Sequence, residues 1–208
     1  MDGFTLRAAA KLAGVSDGAP YHHFADKEAL LAAVAEESFE LLCDEMKASG
    51  EQQFGNARTK AQAMSVAYVL FAARNPARFR IMWSPPSRGR ARHRSLAKAA
   101  ARAAQLLRSC LDHSLRRDPG RAVPERAITL ARAVVHGLSV LAIDGHLSTD
   151  GVTEKLLRRI AWDAMRQLNP AGPTDSDGSR SASKLRPSVA PESVPRSGSR
   201  LRPTRQSA

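Results

Sequence analysis

The residues with usable chemistry are concentrated between Phe4 and Leu31, in FTLRAAAKLAGVSDGAPYHHFADKEALL. Thr5 stands where a hydroxyl caps a helix, and the free N–H groups of such a first turn suit a phosphate oxygen. Tyr21 adds a phenol, and Lys27 a point charge at the start of the next long helix. Gly18, Ala19 and Pro20 are small and let a backbone approach a groove. Ala19 and Pro20 suit a thymine methyl, and His22 a base edge. His23 reads as a packing or phosphate residue, and Phe24 and Leu30 as core. On a helix His22 and His23 lie about 100° apart, which is wrong for two ligands of one metal ion. No Cys/His cluster has zinc spacing, so neither metal nor cofactor is expected.

These groups need a scaffold of short helices. Thr5 caps a helix ending near Leu12 or Ala13, Gly14 permits a turn with positive φ, and Val15 plugs the angle to a second short helix capped by Ser16 and ending near His23. Two helices so joined form a helix-turn-helix, whose second helix enters a major groove. The rest of the chain keeps the helical period. Leu31, Ala35, Phe39, Leu42 and Met46 predict a long helix capped by Asp26 and ending near Gly50. Ala57, Ala61, Met64, Tyr68 and Phe71 predict another, stopped by Asn75-Pro76. Pro76 opens a short helix through Met82 and Trp83. Leu96 to Cys110 begins a helix running to about Arg117. The helix opened by Pro124 is apolar almost all round and needs burial on two faces. A last helix spans Val152 to Leu168. Nothing reads as a strand, so the fold class is all-α.

Composition bounds the possibilities. The chain has 208 residues, with 32 Lys+Arg against 20 Asp+Glu, a net charge of +12. That balance favours a polyanionic partner. No run of 18 apolar residues occurs and no secretory leader is visible, so no membrane is expected and the location reads as cytoplasmic. Cys43 and Cys110 each sit alone in apolar helical patterns, as buried thiols rather than a disulfide. Residues 169–208 hold six Pro and nine Ser and read as a disordered basic tail. No nucleophile elbow, phosphate loop or paired catalytic carboxylates stand out, so an enzyme is not expected.

Thr5, Ala9, Ala10, Gly14-Val15-Ser16, Gly18, Tyr21, His23-Phe24, Lys27 and Leu30 together closely resemble the helix-turn-helix of the TetR family of bacterial transcription regulators. The resemblance implies that Thr5, Tyr21 and Lys27 clamp the DNA backbone, and that Ser16, Asp17, Ala19, Pro20 and His22 face the groove. It divides the chain into a head region, 1–48, a helical ligand-binding and dimerisation domain, 49–168, and the tail. In this family the last two helices pair with a second subunit, which sets two heads on a pseudo-palindromic operator, and a small hydrophobic effector lowers DNA affinity, which implies a repressor released by its ligand. The family's head has three helices, and only three residues precede Phe4. The expectation is therefore that the first head helix is absent, with a true start upstream of Met1. The alternative is a ligand-binding or dimerisation protein without DNA activity.

Asn75 to Met82 and Val135-His136-Gly137-Leu138 resemble the regulatory domain of a subgroup with a Trp-His-Gly motif, although Arg132 stands where the Trp is expected. Met64, Tyr68, Phe71, Met82, Trp83 and Cys110 are candidate lining for a hydrophobic ligand, each reading equally as core. His136 is open between a ligand contact and a satisfied core or interface histidine. Arg88, Arg90, Arg92 and Arg94, continued by Lys98 and Arg102, read as a solvated basic face.

Overall fold

Side-chain oxygens start three of the helices. In the computed structural model, which describes residues 5–84, 92–118, 120–147 and 152–168, Thr5 Oγ1 accepts the Ala8 N–H at 3.1 Å and begins α1, Leu6–Ala13. Asp26 Oδ1 accepts the Ala29 N–H at 2.8 Å and begins α2, Lys27–Gln52. Asn56 Oδ1 accepts the Thr59 N–H at 2.9 Å and begins α3, Ala57–Arg74. Pro76 supplies the preset φ for α4, Pro76–Met82. Then follow α5, Arg94–Leu115, α6, Glu125–Ile143, and α7, Glu154–Leu168. Every regular element among the described residues is helical. The expected tail, residues 169–208, lies outside the described residues, as do Phe4, Arg88 and Arg90.

α3 is the axis of the bundle and packs against α2, α4, α5, α6 and α7. Its residues from Ala61 to Ala72 are buried, apart from half-buried Met64. Phe39, Leu42 and Met46 of α2 join Val66, Leu70 and Phe71 of α3, Phe79 and Met82 of α4, and Leu96 and Leu111 of α5 in one core. α2 thus runs unbroken through residue 48, and the expected boundary between head and body falls inside a helix. Both cysteines are free and buried. The Cys110 thiol donates to Ala61 O at 2.7 Å and lies 3.3 Å from Ser65 Oγ. Burial pushes its pKa up to about 11.

The apolar surface of α6 divides among three faces. Ile128, Ala131, Val135 and Ser139 are buried in the core. Thr129, Arg132, Ala133 and His136 border a cavity. Leu130, Val134, Gly137 and Leu141 follow one another at helical spacing on an outer face. Glu125–Ile143 is also long and apolar enough to cross a bilayer, which the search for an unbroken apolar run did not reveal. The helix owes that composition to its three faces, and Arg126 and Arg132 interrupt it.

The head departs from the sequence expectation in two places. Gly14 has φ +69, its N–H bonds Lys11 O, and the Val15 N–H bonds Ala10 O. This is the paired closure of a Schellman motif, and it turns Val15 outward, 49% exposed, so Val15 does not plug the turn. Ser16 caps no α-helix: its carbonyl accepts the Ala19 N–H, and a single 3-10 turn, Ala19–His22, begins after Gly18. Pro20, with no N–H and a fixed φ, favours that tight turn. Leu6 and Ala10 are buried, but Leu12 is 89% exposed, and Phe24 and Leu30 are half-buried rather than core.

The two head glycines are expected to behave differently. A Cβ at either meets nothing within 4 Å, yet only Gly14 has positive φ. Gly14→Ala is expected to loosen α1 by about 1 kcal/mol, roughly fivefold faster hydrogen exchange at its amides, while Gly18→Ala leaves exchange unchanged.

Candidate nucleic-acid interface and cavity

The groups first identified as chemically useful sit at the start of the bundle. Ser16, Asp17, Gly18, Tyr21, His22 and His23 are exposed, and Ala19, Pro20 and Lys27 half-buried. The 3-10 turn changes which of them share a side. At three residues per turn, Ala19 aligns with His22, Pro20 with His23, and Tyr21, 53% exposed, with Gly18 and Phe24. The Thr5 hydroxyl already accepts from Ala8 N–H, which leaves its proton available to an acceptor. Among the described residues no group of three His, Cys, Asp or Glu is placed to hold a metal ion.

From this head, α2 leads into the body, where carboxylates fix it along its length. Glu28 lies 3.8 Å from His93. Glu36 accepts from Ser95 Oγ at 2.5 Å, Glu37 pairs with Arg78 at 2.8 Å, and Glu40 pairs with Arg102 at 2.8 Å. Arg102, expected on a solvated face, is therefore a link between α5 and α2. Each exposed pair contributes little alone. As a row, they tie the helix bearing Lys27 to α4 and α5.

A cavity of about 570 Å³ on the outer side of α2 and α5 is bordered by the charged residues Glu40, Asp44, Lys47 and Arg102 together with uncharged ones. A second, of about 490 Å³, has the character of a ligand site: apolar walls with a few polar groups. Its walls are Phe39 and Leu42 of α2, Tyr68 of α3, Trp83 after α4, Ala100, Ala103, Ala104 and Leu107 of α5, and Thr129, Arg132, Ala133 and His136 of α6. The space exists because three of the four α5 residues facing it are alanines.

The polar centre of this cavity pairs buried Tyr68 with half-buried His136. Tyr68 Oη and His136 Nδ1 are 3.1 Å apart. Burial holds the phenol well above its usual pKa, so it stays protonated. Burial, aided by the Arg132 charge, lowers His136 below the usual histidine value. A neutral phenol and a neutral imidazole then share one hydrogen bond, whose direction follows the imidazole tautomer. Aromatic rings enclose the imidazole, with centroids 5.0 Å away for Trp83 and 5.5 Å for Phe79. Phe39 stands edge-on to Trp83 at 5.9 Å.

Of the seven candidate lining residues, the structure brings Tyr68, Trp83 and His136 together at this cavity. The other four do not border it. Phe71 and Met82 are 1% and 0% exposed and fill the core. Cys110 is held by Ala61 O and Ser65, and Met64 packs over Gly50. Large soft side chains near a cavity fill space as readily as they border it, and type alone did not separate the two roles. Sequence reasoning missed Phe39, Leu42, the α5 alanines, Leu107, Thr129 and Ala133. The alanine-rich run AKAAARAA was a usable signal, since alanines facing a core leave room. Arg132 was visible one helical turn before His136.

Comparison with known proteins agrees with this division of labour. Residues 1–34 match the family described as bacterial regulatory proteins, tetR family. Residues 61–163 match the family described as Tetracyclin repressor-like, C-terminal domain. A solved structure from Rhodococcus sp. RHA1, described as a protein with unknown function, is similar with a TM-score of 0.61 and 29% identity. The match covers 80% of this chain and 85% of that one. No curated protein is significantly similar to the chain. The turn of Ala19–His22, its glycine-closed partner helix α1 and the helical body behind them therefore carry a family identity as well as a geometry: the chain belongs to the TetR family of DNA-binding transcriptional regulators.

Proposed function

We propose that the protein is a homodimeric repressor whose hold on a pseudo-palindromic operator is released by a small molecule entering the Tyr68–His136 cavity. The observation that carries this reading is that one helix serves both sites. α2 starts at the head with Lys27 and borders the cavity with Phe39 and Leu42. Lys27 and Phe39 are about 18 Å apart along it at 1.5 Å per residue. A ligand that shifts Phe39 and Leu42 moves a rigid rod whose far end positions the head, and DNA affinity changes with it.

At the head, Thr5, Tyr21 and Lys27 clamp phosphates, with His23 beside them. Ser16, Asp17, Ala19, Pro20 and His22 face the groove, and Gly18 keeps the approach open. The outer face of α6 supports the dimer. Leu130 and Leu141 are 57% and 40% exposed, and Leu156 of α7 is 41% exposed. Leu130, Val134, Gly137 and Leu141 repeat at four, three and four residues, the spacing of a helix–helix seam. Gly137 adds room for close approach, because a Cβ there meets nothing within 4 Å. Pairing α6 and α7 with their copies closes a four-helix bundle and sets two heads on two half-sites. This role implies a cytoplasmic protein in contact with the chromosome.

Selection from random duplex DNA tests the reading, with enrichment of a pseudo-palindrome expected. Failure to enrich any sequence would leave a ligand-binding or dimerisation protein without DNA activity. On the selected operator, Tyr21→Phe and Lys27→Ala are expected to weaken binding to all sequences alike, each about fivefold. His22→Ala changes the preferred sequence. Uniform loss from His22→Ala would remove it from the groove face. Gly137→Leu is expected to give a folded monomer by sedimentation, with operator binding lost. A dimer of unchanged affinity would place the interface elsewhere.

A further inference from the structure

The chemistry of the cavity specifies more than an apolar occupant. Resting on the reading of this cavity as the effector site, we infer that its ligand is an apolar carboxylate, with the carboxylate on Arg132 and the hydrocarbon body between α2 and α5.

Among the described residues no Asp or Glu borders the cavity, whereas Arg132 does. Neighbouring arginines are matched within the chain: Arg78 with Glu37, Arg80 with Asp144 and Arg102 with Glu40. Arg132 forms no ion pair with any described residue, and the residue is exposed. Its charge reaches inward, acting on both Tyr68 and His136. The acidic group whose charge reaches Arg132, Glu125 two turns back on α6, is already paired with Arg108 at 2.6 Å, so a positive group beside an apolar wall favours an anion and disfavours a cationic ligand.

The geometry of the donors narrows the anion. A guanidinium presents a planar fork that matches a carboxylate with two parallel hydrogen bonds. Arg132 and His136 are one helical turn apart on α6, so a carboxylate on the arginine lies over the entrance to the Tyr68–His136 pair. Beyond it the walls offer rings and methyl groups: Phe39, Leu42, Trp83 and Leu107, with the α5 alanines leaving the space. A chain or aromatic body fills this part, and an ion without such a body gains nothing from it.

The test uses decanoate and 1-decanol, which share a hydrocarbon body and differ in the head. Trp83 borders the cavity and reports on it once Trp162 is replaced by Phe. In the full chain at neutral pH and low salt, decanoate is expected to shift Trp83 emission with at least tenfold higher affinity than decanol. Arg132→Gln should abolish that preference while leaving decanol binding as it was, and Arg132→Lys should retain part of it. Equal affinity for the two probes in the wild-type chain, or equal loss of both in Arg132→Gln, overturns the carboxylate assignment and leaves the cavity as an apolar effector site. No saturable shift with either probe overturns the effector site as well.

Discussion

The Asp26 carboxylate holds the Ala29 N–H at 2.8 Å, and from that cap α2 runs without a break to Gln52. Isolated, a helix of this length is held weakly, and its stability comes from the apolar face it buries. Here the buried face begins at Leu31 and continues through Ala35, Phe39, Leu42 and Met46 into the main core. The first turn of the helix belongs to the head and its middle to the body. A displacement of either part is therefore felt by the other. The carboxylates of Glu28, Glu36, Glu37 and Glu40 set the lateral position of the rod against α4 and α5.

The cavity follows from the same helices. α5 meets α2 and α6 with alanines at positions 100, 103 and 104, too small to fill the gap between Phe39 and His136. Packed interiors tolerate few such voids, and this one keeps a hydrogen-bonded Tyr68–His136 pair at its centre. Burial disfavours the charged form of each group, which holds the imidazole below and the phenol above its usual pKa. The site is thus neutral inside and positive at its Arg132 edge.

Much of this was legible in the sequence, for physical reasons that differ by element. The starts of α1, α2 and α4 were marked by Thr5, Asp26 and Pro76, whose local chemistry acts wherever the chain folds. The all-round apolar pattern of residues 124–143 signalled more than one buried face. The second head element was less legible. Ser16 has the right type for a cap, but Pro20 four residues on made a 3-10 turn the better solution, and Val15 turned outward with the Schellman closure. Tyr68, Trp83 and His136 border the cavity, and their polar or aromatic side chains stand out in the sequence. Phe71, Met82, Cys110 and Met64 do not border it, and sequence gives a residue's size, not whether its neighbours leave space. The alanines that make the space have no functional chemistry of their own to notice.

The proposed function couples occupation of the cavity to the grip of the head through α2. Filling the cavity by substitution tests it without a ligand. Ala104 borders the space and lies on α5, in a different element from the head. In Ala104→Trp the indole should take the effector's place, and fluorescence anisotropy with the selected operator should show affinity falling at least tenfold while the dimer and its helix content persist. An intact Ala104→Trp dimer that binds the operator as tightly as the wild-type chain would contradict the account.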